Sequence, residues 1–192
     1  KPIVDIETGI MGRSLAIDND AGTLLIGTEE GSVLSRSLYD SSTMPNEKGP
    51  TGSQNAGIYA LAVDDYGTIW GAGNCTIHFK PVGEAVWNEY DYCPTQNIET
   101  PSDIMIIGDS VYLATTNAGV HILNYITSSS SGSVSVSVDS QTDWSTQNFL
   151  SSDQITDLEV VGNHLLIATS DSGINRRDLT AQSWIATWST NN

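Results

Sequence analysis

Basic residues are scarce: seven Lys and Arg stand against 23 Asp and Glu, for a net charge of −16. A nucleic-acid surface needs cationic stripes that displace counterions from phosphates, so that class of partner is excluded. No apolar run approaches the ~20 residues of a membrane helix, and no membrane insertion is expected. Two cysteines exclude a disulfide-dense scaffold and a four-thiolate zinc site. The three histidines, His78, His121 and His164, stand far apart beside Phe79, Ile122 and Leu165. They show no metal-ligand spacing and no convergence with a serine or cysteine. There is also no nucleophile elbow and no phosphate loop. What is present is a chain of 192 residues, 39% hydrophobic and only 16% charged, which is enough for a packed core and unlike a disordered polyelectrolyte. The abundance of Ser and Thr with little Lys leans towards an extracellular or periplasmic setting.

The chain repeats itself. Leu15–Thr28, Leu61–Ala72, Ile104–Thr115 and Leu158–Thr169 share one local grammar: a short apolar stretch, an Asp/Asn/Gly turn, and a second apolar stretch ending in Gly, Ala or Thr. Anchors at Leu25, Trp70, Tyr112 and Leu166 are separated by 45, 42 and 54 positions. The third interval contains Ser128–Asp143, a serine/valine alternation that reads as an insertion or an extended hairpin. Without it, all three spacings fall in the roughly 40–50-residue range of propeller blades. The apolar runs are short and β-branched, and turn residues punctuate them, which favours strands over helices. A second turn follows each repeat (29–31, 117–119, 171–173), then a third strand. Three units then reach a segment containing tryptophan, Trp87–Tyr92, Trp144–Phe149 and Trp184–Trp188, read as an outer strand.

The expected architecture is therefore an all-β propeller of four four-stranded antiparallel blades, with strands a to d counted outwards, forming part of a larger seven- or eight-bladed ring. The blades fall at 13–52, 53–97, 98–150 (with the insertion 128–143) and 151–192. Residues 1–12 read as a linker and, at Pro2–Ile6, the outer strand of a preceding blade. Strands are expected near 14–18, 23–27, 58–63, 68–72, 103–107, 110–115, 156–161 and 164–168. The fourth strand of the first blade is the weakest expectation, because Ser41–Gly52 is rich in turn formers.

Asp20-Ala-Gly22 and Asp65-Tyr-Gly67 place a carboxylate two residues before a glycine, so that the carboxylate can accept turn amides and the glycine can take a positive φ. With Asp18, Leu24-Leu-Ile-Gly-Thr28 and Gly31 in the first unit, Asp64, Gly67 and Ile69-Trp-Gly71 in the second, and Ile167-Ala-Thr169 and Gly173 in the fourth, the units resemble the two-component-regulator propeller repeat. The Asp-x-Gly-x-x-Trp of the second unit is also similar to the Asp-box of sialidases, with Val63 where that motif has serine. The resemblance covers nearly the whole chain. It implies an extracytoplasmic sensing or recognition domain, often for glycans, whose blade motif carries no catalytic residue.

Asp18, Asp20, Asp64 and Asp65 are the candidates for calcium, a hard cation that wants several oxygen ligands. Turn capping is the favoured reading of all four, and no cofactor is expected beyond that calcium. Glu29, Glu30, Asn74, Asn117 and Asp171 fall on b–c turns, which open on the same face as the d–a connections, where propellers bind ligands. Trp87, Tyr90, Tyr92, Trp144, Trp184 and Trp188 serve either inter-blade packing or sugar stacking. Cys75, in the b–c turn of the second blade, and Cys93, just after its outer strand, open on one face and are expected to form a disulfide. Closing a loop of that length stabilises by roughly 3 kcal/mol in the chain-entropy model.

The leading functional expectation is a non-catalytic recognition or sensing propeller that binds a glycan, a small ligand or a protein. The alternatives are a fragment of a propeller glycoside hydrolase or lyase whose catalytic residues lie outside this chain, and a structural or adhesive surface module. The expected partners include other blades of the same parent chain, or a second copy that closes the ring.

Overall fold

A computed structural model describes residues 11–39, 57–93, 98–130 and 133–189. Among them there is no helix; fifteen strands run β1 (Gly12–Asp18), β2 (Thr23–Thr28), β3 (Val33–Ser37), β4 (Ala60–Val63), β5 (Ile69–Ala72), β6 (Thr76–Lys80), β7 (Asn88–Asp91), β8 (Pro101–Ile107), β9 (Ser110–Thr115), β10 (Val120–Ser130), β11 (Ser133–Trp144), β12 (Ile155–Val161), β13 (His164–Thr169), β14 (Ile174–Asp178) and β15 (Ser183–Trp188). They form four antiparallel sheets in sequential order, β1-β2-β3, β4-β5-β6-β7, β8-β9-β10-β11 and β12-β13-β14-β15. They form the blades of an all-β propeller, the first described with three strands. The eight inner strands lie within two residues of the expected positions. Pro2–Ile6 and Ser41–Gly52, expected to hold outer strands, lie outside the described residues.

The chain divides into two compact units, residues 1–91 with 128–135, and residues 92–127 with 136–192. In the first, Leu25 and Val33 of one blade pack with Ile58 and Leu61 of the next, with Trp87 against the cluster. The clasp is polar as well: Ser14 Oγ donates to the Ile58 carbonyl at 2.8 Å. In the second, Tyr112, Ala114, Val120, Ile122 and Trp144 pack with Leu150, Ile155, Leu158, Leu165 and Ile167. Here the Leu158 amide donates to Asp103 Oδ2 at 2.9 Å, again joining one blade to its successor. Ser14 and Asp103 both follow a register shift at the start of an innermost strand, and β12 has the same shift between Ile155 and Asp157. A bulge there turns the entering chain into the blade.

The third and fourth blades close their b–c turns by one rule. Thr115 and Thr169 donate through both backbone N–H and Oγ1 to the carbonyls of Gly119 and Gly173, at 2.8–3.0 Å. The same hydroxyls accept the amides of Ala118 and Ser172 at 3.0 Å. Gly119 and Gly173 have φ of 89° and 86°, and a Cβ on either would run into the main-chain carbonyl of Trp144 or Trp188. The glycine is thus required twice over, by its backbone conformation and by the outer strand that crosses it.

The third blade departs from expectation in one respect. Trp144 ends the outer strand instead of opening it, and 145–149 is a turn. The serine/valine alternation is β11 itself, hydrogen-bonded to β10, because a period of two is a strand signal even where the apolar partner is only valine.

Candidate functional site

The most densely connected polar group among the described residues gathers on the third blade, at the end where b–c turns and outer-strand exits meet. His121 is the second residue of β10, just past the b–c turn, and is 3% exposed. Its Nε2 lies 2.6 Å from Glu99 Oε2, and its Nδ1 lies 2.6 Å from Asp143 Oδ1. Glu99 precedes β8 and is buried; Asp143, the penultimate residue of β11, is half-exposed. Gln141 Nε2 donates to the same Asp143 oxygen at 2.8 Å and to the Tyr92 carbonyl at 3.1 Å. The Tyr92 ring lies 5.1 Å from the imidazole, and its hydroxyl donates to the Glu99 carbonyl at 3.2 Å.

Each ring nitrogen thus faces a carboxylate oxygen at hydrogen-bond distance, and the group joins three strand ends of one blade. Asp143 is its solvent-facing member.

The expected turn candidates lie where the blade grammar puts them. Asp64 is buried, with Oδ1 accepting the amides of Tyr66 and Thr68 at 3.0 and 2.8 Å and Oδ2 accepting Trp70 Nε1 at 3.0 Å. Asp18 Oδ1 accepts the Ala21 amide at 2.9 Å. Asp20 and Asp65 are exposed. Among the described residues, no three His, Cys, Asp or Glu side chains are grouped so as to hold a metal ion. Glu29 pairs with Arg13 at 2.7 Å, and Glu30 beside it is exposed. Asn117 Nδ2 donates to the Ile98 carbonyl at 2.9 Å, and the Asn74 side-chain oxygen is buried. Hydrogen bonds from Ser152 and then Ser172 hold the Asp171 carboxyl below its ordinary range. Cys75 and Cys93 are disulfide-bonded, and as the chain's only cysteines they bond to each other.

Two other features bear on function. On the innermost strands, burial foremost raises the Asp103 carboxyl, its amide donors Leu158 and Ile104 pull it back down, and neighbouring Asp157 adds to the rise. On the outer strands, Trp144 meets Trp184 edge-on at 5.0 Å, and Phe149 stacks on Trp184 at 5.7 Å with planes 17° apart. The Arg177 guanidinium lies 4.7 Å from the Trp144 centroid and 5.3 Å from that of Trp184. Phe149 is half-exposed.

The sequence reading missed the His121 group. Glu99 and Asp143 lie 22 positions before and after His121. Only the blade topology, which brings the start of strand a, the start of strand c and the end of strand d to one end, could have joined them.

This sheet order defines a β-propeller array, and known structures agree. No family model matches the chain, and no curated protein sequence does. The extracellular domain of the BT4673 one-component system from B. thetaiotaomicron aligns with a TM-score of 0.65 at 15% identity, over 97% of this chain and 23% of its own. BamB from Moraxella catarrhalis aligns at 0.62 and 12% identity, over 96% and 51%. The computationally designed Ika4 protein aligns at 0.63 and 13%, over 93% and 98%. The chain thus spans about half of BamB and nearly all of Ika4.

Proposed function

We propose that the chain is a non-catalytic, extracytoplasmic recognition propeller of the two-component-regulator type that binds glycans. The observation that carries this reading is the Phe149–Trp184 stack: a half-exposed ring backed by an indole, with the Arg177 guanidinium 5.3 Å from the indole centroid. A flat apolar ring beside polar turns suits the C–H face of a sugar, while the hydroxyls of the sugar find hydrogen-bond partners around it. Phe149 sits in the turn between the outer strand of one blade and the next, on a loop held by Ser145 and Asn148. Both ring nitrogens of His121 are engaged by carboxylates of its own blade, which supports a structural role for that cluster and leaves recognition to the aromatic surface. The Cys75–Cys93 disulfide supports an oxidising compartment.

Titration of the chain with a panel of soluble oligosaccharides by calorimetry tests this. Binding by the native chain that weakens at least about tenfold in Phe149→Ala is expected, since stacked rings at binding sites are worth roughly 1–3 kcal/mol. Absence of saccharide binding, or binding indifferent to Phe149→Ala, contradicts it. Native mass spectrometry of unreduced, alkylated protein checks the compartment: two alkylated cysteines would remove that support.

A further inference from the structure

We propose that two copies of this chain associate by seating the far face of the fourth blade of one copy on the near face of the first blade of the other. Equivalent repeat positions are buried in one blade and bare in another.

On the near side, Leu15 holds in β1 the place of Leu61 in β4 and Leu158 in β12. Each pairs with a strand-b residue (Ile26, Gly71, Ile167) that stands two before the residue closing the b–c turn. Leu61 is 7% exposed and packs on the preceding blade with Leu25 and Val33; Leu158 is 3% exposed and packs on the preceding blade with Tyr112 and Trp144. Leu15 is 66% exposed and Ile17, on the same alternation, 52%; Met11, ahead of the register shift, is 59% exposed.

On the far side, Trp188 holds the place of Trp144: each lays its carbonyl over the b–c glycine, Gly173 or Gly119. Trp144 is 5% exposed because the next blade covers it; Trp188 is 53% exposed. Ile174 and Leu166, both half-buried, stand where the third blade has the buried Val120 and Tyr112.

Each bare face therefore has its cover written elsewhere in the same molecule. The blade 3–blade 4 contact already shows a tryptophan at the Trp188 place seated against a leucine at the Leu15 place. A second copy supplies both halves of that contact at once, and continuing an existing packing mode needs no new surface chemistry.

The test is the mass of the 192-residue chain by sedimentation equilibrium across micromolar to millimolar concentrations, with Leu15→Glu and Trp188→Glu beside it. Both side chains are exposed, so each variant is expected to keep the native far-ultraviolet spectrum. The native chain should self-associate. Either variant alone should dissociate at least about a hundredfold more readily, because every contact then contains one damaged face. An equimolar mixture of the two should regain association, since one undamaged far face again meets one undamaged near face. A native chain that stays monomeric at every concentration would overturn the proposal, and would assign the bare faces to blades of a longer chain. Self-association that ignores both substitutions would overturn it as well.

Discussion

One place in the repeat holds four different residues. Leu34, His78, His121 and Asn175 are all on third strands, paired with Ile26, Gly71, Leu113 and Ile167 of the strand before, and all are 3% exposed or less. In the second blade both ring nitrogens of His78 lack a hydrogen bond, and the nearest carboxylate oxygen, on exposed Glu89, is 3.8 Å away. In the third blade His121 has a carboxylate on each nitrogen. In the fourth, Asn175 exchanges hydrogen bonds with Ser151 at 3.0 and 3.2 Å. The slot is set by the fold, but its chemistry is set by what the connection before the first strand and the end of the outer strand bring to it.

Removing the centre of the third-blade group should have the largest effect. His121→Leu leaves the buried Glu99 carboxylate without its partner and should destabilise by about 3–5 kcal/mol, read from the urea midpoint. Gly119→Ala should follow at about 1–3 kcal/mol, since it strains the backbone and pushes on the Trp144 carbonyl, next to Asp143. Its near-ultraviolet spectrum should change as Trp144 moves.

The second-blade histidine should respond with the opposite sign. Replacing His78 by Leu removes two buried, unbonded nitrogens and should stabilise by about 1–2 kcal/mol. Burial holds His78 below its ordinary value, with Glu89 opposing weakly. The folded form therefore refuses a proton that the unfolded chain accepts. Stability from this site is complete above the unfolded value of about 6.5 and is lost as pH falls below it towards the folded value. His78→Leu should flatten that acid limb in melts taken between pH 7 and 5. Asn175→Ala should have the smallest effect, about 1 kcal/mol, with a loss of amide protection at Ser151 in hydrogen exchange.

These contrasts also mark what could be read from sequence. The inner strands were legible because β-branched runs and Asp/Gly turns are local signals, and Asp18 and Asp64 lie within six residues of the amides and indole they serve. The disulfide was legible for a related reason, as one cysteine lies in the b–c turn of a short blade and the other just after its outer strand. The outer strand of the third blade is not legible, because its tryptophan reads as the start of a strand while a weak serine/valine alternation carries the pairing. His78 and His121 looked alike as lone histidines beside an aromatic or branched residue. Nothing near either in sequence separates the bare one from the paired one; the difference lies in residues 22 positions away.

Paired double-mutant cycles test the contrast most directly: Glu99→Gln with His121→Gln in the third blade, and Glu89→Gln with His78→Gln in the second, each measured by denaturant unfolding. The account predicts a coupling of roughly 2–3 kcal/mol for Glu99 and His121, and one within about 0.5 kcal/mol of zero for Glu89 and His78. Equal couplings in the two blades, or a larger one in the second, would contradict it.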